Sequence, residues 1–103
     1  MTSTVAIPKK ALGKVVKFVK EEIERLRGEL AVINEELKVL EEKYGVSSKV
    51  FVEIMQGRKE WVLPEGSEPD AVEWEALLEQ RKRLERRLKE LEELWHQLQG
   101  YSK

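Results

Sequence analysis

The chain contains no cysteine and a single histidine. The first absence excludes disulfides, thiolate metal sites and a cysteine nucleophile, and the second excludes a histidine-rich metal cluster within one chain. No 18-residue stretch is uncharged and no apolar signal run opens the sequence, so a soluble, cytoplasmic protein is expected. The glycines are scattered (Gly13, Gly28, Gly45, Gly57, Gly66, Gly100), which leaves no glycine-rich phosphate loop. Asparagine is scarce beside abundant Glu, Lys and Arg, a composition that suits a thermophile.

Charge is abundant, at 38% of residues, yet the net charge is only −1. Balanced charge of this kind decorates solvated helix faces. An apolar content of 41% takes the chain out of the disordered class. The charge is unevenly placed. Lys9, Lys10, Lys14, Lys17 and Lys20 open the chain with no acid among them. Residues 60–80 hold Glu60, Glu65, Glu68, Asp70, Glu73, Glu75 and Glu79 with no base, and Arg81, Lys82 and Arg83 follow at once.

Apolar positions recur at alternating spacings of four and three from Leu12 to Tyr44: Leu12, Val16, Val19, Ile23, Leu26, Leu30, Ile33, Leu37, Leu40, Tyr44. This a/d pattern predicts a long helix with a coiled-coil seam over about residues 9–44. Pro8 suits its first turn and Gly45 its left-handed end. A second seam runs Trp74, Leu77, Arg81, Leu84, Leu88, Leu91, Trp95, Leu98, predicting a helix over about residues 69–99. Ser67 or Glu68 is its cap candidate, and the acids of its first turn favour the positive helix end. Arg81 is the one charge on this seam, read as a snorkelling side chain or as a residue that specifies register. Two such helices in one 103-residue domain make an antiparallel, all-α hairpin, with residues 1–8 flexible or a short strand and residues 57–68 an acidic loop. With Tyr44 opposite Trp74, the first helix overhangs the second by about two turns at its lysine-rich end. Phe18, Val32 and Val39 lie off the seam, so a homodimeric four-helix bundle, or else a different protein, is expected to cover them.

The connection KYGVSSKVFVEIMQG, residues 43–57, is apolar where a polar loop would be ordinary. Ser47 or Ser48 can cap a short helix over about residues 48–56. With Ser47 as cap, Val46 and Phe51 take the spacing of a hydrophobic staple. The β-branched run Val50-Phe51-Val52 also allows a strand, returning through Glu60–Leu63 as a hairpin. The cap and staple favour the helix.

Catalytic chemistry has little to build on. Ser47 and Ser48 have no neighbouring base and suit caps. Glu93 and His96 match the Glu-x-x-His spacing of di-iron bundles, but they occupy outer helix positions and no seam carries Glu. No catalytic residue, metal ligand or cofactor is therefore expected. Trp61 is unlike Trp74 and Trp95. It sits in RKEWVLPEG beside the acidic run, where it either folds over the hairpin end or anchors a partner.

The residues Lys43, Tyr44, Gly45, Ser47, Ser48 and Phe51, followed by an acidic gap and the pair Glu73-Trp74, are similar to an element in short antitoxin-like helical proteins of prokaryotic toxin–antitoxin operons. The likeness spans about residues 38–94. Here Val52-Glu53-Ile54-Met55 is more apolar than that element usually is, and RKEWVLPEG resembles an insertion. The resemblance implies a non-enzymatic module that neutralises a small basic toxin, often an RNA-cleaving one, by covering its surface. Tyr44, Phe51, Ile54, Met55, Trp61, Glu73 and Trp74 are the expected partner-binding residues. Two other readings stand beside it. One is a coiled-coil scaffold similar in outline to a prefoldin β-type subunit, which needs the strand form of residues 49–63. The other is nucleic-acid binding through Lys9, Lys10, Lys14 and Lys17, of which the last three share one helical face.

Overall fold

The computed structural model describes residues 8–101, and side chains to residue 100. The strand form expected before Pro8 lies outside these residues. Three helices follow in order: α1 over Lys9–Tyr44, α2 over Ser48–Met55 and α3 over Glu68–Tyr101. The two long helices pack antiparallel as a hairpin measuring 61 × 29 × 19 Å. Among the described residues there is no strand, so residues 49–63 do not form a β-hairpin.

The local signals explain where each helix stops and starts. Gly45 takes φ 68°, and its N–H donates to the Glu41 carbonyl at 2.8 Å. Left-handed backbone costs a side-chain-bearing residue about 1 kcal/mol or more, which glycine avoids. The Ser47 hydroxyl then accepts from the Val50 N–H at 3.1 Å, closing the cap of α2. Val46 packs against the cluster that contains Phe51, as a hydrophobic staple requires. α2 ends through a second left-handed glycine, Gly57, at φ 74°. At α3, the Ser67 carbonyl accepts from the Ala71 N–H at 2.9 Å. The Ser67 side chain does not cap: its buried hydroxyl has no partner among the described residues. Glu68 and Asp70 occupy the first turn, where the helix dipole favours acids.

The core is divided in two. Near the connection, Ile33, Leu37, Leu40, Phe51, Leu63, Ala71, Trp74 and Leu77 are buried together. Toward the other end, Val19, Ile23, Leu26, Leu91 and Leu98 form a second cluster, and Leu84 touches both. Arg81 falls at the division. It is half-buried, and its guanidinium reaches out to Asn34 at 3.4 Å and toward Glu85 at 4.0 Å. A charged head that finds water and polar partners while its stem lies on the seam is a snorkelling arginine.

The expected two-turn overhang is shorter than the seam spacing suggests. The Tyr44 side chain meets both Asp70 and Trp74, and α3 continues to Tyr101. Leu12 and Val16 therefore pack against the second cluster rather than projecting past it.

Candidate functional site

The corner where α1, α2 and α3 meet is the most specified part of the molecule. Trp74 is fully buried. Its indole stacks on Phe51 with ring centroids 4.2 Å apart and planes 3° from parallel, and on Tyr44 at 6.0 Å. The Trp74 Nε1–H donates to the Ser48 hydroxyl at 2.9 Å, so the one polar atom of this ring is satisfied in the interior. The backbone N–H of Ser48 in turn donates to the Glu41 carboxylate at 2.6 Å. These bonds tie the start of α2 to both long helices.

A polar clamp closes the outer side. The Tyr44 hydroxyl donates to Asp70, and the Lys43 ammonium lies 2.6 Å from the same carboxylate. Lys43, and then Tyr44, hold Asp70 below its ordinary range. Asp70 in return raises both the Lys43 ammonium and the Tyr44 phenol.

Beside this platform, apolar side chains are exposed in two segments. Val52 and Met55 on α2 line a shallow groove against α3, walled by Leu78 and rimmed by Glu75, Glu79 and Lys82. Trp61 is 47% exposed and Val62 64%, beside the acids of the connecting loop. Leu63, rather than Trp61, turns inward to plug the hairpin end, at 6% exposure.

The expected binding residues thus separate into two groups. Phe51, Ile54 and Trp74 are buried, with Tyr44 half-buried beside them, and they build the platform. Met55, Trp61 and Glu73 are exposed and able to meet another molecule. Val52, Val62, Leu78, Glu75 and Glu79 are surface neighbours that the heptad seams do not single out. Val52 carries the one available signal, as an apolar residue off the Phe51–Ile54–Met55 face. Lys9, Lys10, Lys14 and Lys17 are exposed on the first turns of α1, and Lys17 lies 3.9 Å from Glu21. They are at the far end from the corner.

Among the described residues, no three His, Asp or Glu side chains gather as metal ligands, and no helix is long and apolar enough to cross a membrane. No curated protein and no solved structure matches the chain. A family model does, over residues 1–96, and by that match the chain belongs to the family described as Uncharacterized protein MJ0235 family.

Proposed function

We propose that this protein is a binding module that docks a small basic protein on its α2–α3 corner and neutralises it, as antitoxin-like proteins do. The observation that carries the proposal is the exposed groove of Val52 and Met55 against α3, set beside the buried aromatic platform and rimmed by Glu75 and Glu79, with Trp61 and Val62 also exposed in the connecting segment. Solvent-exposed apolar side chains gathered in one place mark a surface that another molecule covers. An exposed tryptophan is the residue type that most often dominates such contacts. The acidic edge selects a basic partner and speeds its approach. Neutralisation by cover needs no catalytic group on this chain.

The chaperone-subunit reading has less support, because its β-hairpin is replaced by α2. Co-expression with the product of the adjacent gene tests the proposal. The two proteins are expected to co-purify, and the neighbour alone is expected to arrest growth. Absence of a complex together with a harmless neighbour would overturn the proposal.

A further inference from the structure

A second apolar surface lies on the opposite flank of the hairpin from the α2 groove. Phe18 and Val32 are each 59% exposed, Val39 is 62%, Val15 is 42%, and Leu94 on α3 is 38%. Each precedes a seam residue by one position, which places it about 100° around the helix from the core, always on the same side. Two observations join the flanks of α1 and α3 into one face. Val39 borders Glu73 of α3. Glu22 is held below the usual glutamate range first by Arg25 and, more weakly, by the charge of Arg87 on α3.

The face is patterned along its length. Phe18, Val15 and Leu94 make it apolar at the end away from the corner, and Val32 and Val39, with Glu36 between them, line it near the corner. A charged band lies between. On α1 this band is Glu22, Arg25 and Glu29, with Arg25 already bonded to both glutamates of its own chain. That leaves the α1 side acidic. On α3 the corresponding positions are Arg83, Arg87 and Glu90, so the α3 side carries a net positive charge.

We infer that this face binds a second copy of the chain, about a twofold axis parallel to the helices, so that α1 of each protomer lies on α3 of its partner. This rotation sets the acidic band of α1 on the basic band of the partner's α3, and brings the apolar ends together. The alternative twofold, perpendicular to the helices, lays α1 on α1. Acid then meets acid, and Arg25 meets its own symmetry mate. An isologous interface must be complementary to itself, and only the first rotation makes it so. Covering half of the 61 × 29 Å face buries on the order of 900 Å² per chain, enough for a stable dimer. The result is a four-helix bundle with both corners at one end and the α2 grooves on its outer sides. The α2 groove and the self-association face therefore lie on different sides of the hairpin.

Light scattering is expected to give twice the chain mass of 12.1 kDa. Phe18→Glu with Val32→Glu is expected to weaken the dimer ~100-fold or more while helical circular dichroism is retained. Arg83→Glu with Arg87→Glu is expected to weaken it as well, and adding Glu22→Arg with Glu29→Arg to restore it. Because the chain has no native cysteine, a spin label at Glu60→Cys reports orientation cleanly. The two labels are expected to lie well within the 61 Å length of the molecule. A monomer at high micromolar concentration, a dimer indifferent to the Phe18 and Val32 changes, or labels separated by about the full molecular length would overturn the inference.

Discussion

Trp74 fills the corner through three relations at once: stacking on Phe51, packing against Tyr44 and donation to Ser48. Removing a buried aromatic of this size costs about 3–5 kcal/mol. That is a large share of the roughly 5–15 kcal/mol that holds a domain of this length folded. The hydrogen bond can be separated from the stacking. Ser48→Ala leaves the indole N–H buried without an acceptor and is expected to cost about 1–3 kcal/mol. Trp74→Phe keeps much of the ring contact and removes the donor. The double variant is expected to be more stable than the sum of the single losses predicts, measured by urea unfolding, because the stranded donor exists only in the Ser48→Ala chain. Strict additivity would contradict the bond. The Asp70 clamp is a second residue-scale test. Asp70 is lowered, so its contribution is present above the ordinary aspartate value of 3.8 and lost as pH falls through the native one. Tyr44 and Lys43 are raised, so theirs is present below the ordinary values of 10.0 and 10.5 and lost as pH rises through the native ones. The stability difference between wild type and Asp70→Asn, followed by thermal unfolding across pH, is expected to form a plateau between those limits and to shrink at both ends.

At the scale of elements, α2 is eight residues long, too short to persist without its caps and its packing. Ser47→Ala is expected to cost about 1 kcal/mol, and Gly45→Ala a similar amount, since the first removes a side-chain cap and the second forces a β-carbon into left-handed backbone. Hydrogen exchange in residues 48–55 is expected to rise more than in the middle of α1, and uniform change along the chain would argue against local control by the caps. These same signals were legible beforehand. The 3–4 spacing of Leu12 to Tyr44 and of Trp74 to Leu98 specifies both long helices, and Gly45, Ser47 and the Val46–Phe51 spacing specify the corner. What spacing does not carry is which residue pairs meet across the hairpin. Tyr44 meets Asp70 as well as Trp74, which creates the clamp, and Leu12 and Val16 pack against the second cluster instead of projecting past it. Nor does it show that Leu63 rather than Trp61 fills the hairpin end, because both are apolar residues in one irregular segment and only tertiary packing decides between them. The same limit applies to the binding residues: an amphipathic pattern marks Phe51, Ile54 and Met55 alike, while packing buries the first two and exposes the third.

For the whole molecule, the hairpin has two flanks that differ in surface composition. One flank carries α2 and the acid-edged groove, and the other carries Phe18, Val32, Val39 and Leu94. A two-helix layer 19 Å thick buries one seam and cannot enclose both faces. The chain is accordingly read as a platform that completes itself by association: with its own copy on one side and with a basic protein at the corner. The most direct test of that reading is the affinity for the adjacent gene's product, measured by calorimetry for wild type and for Val52→Asp with Met55→Asp. The substituted side chains are exposed, so the fold and the dimer are expected to persist while binding weakens ~100-fold or more. Equal affinity of the two proteins, with both folded, would contradict the account.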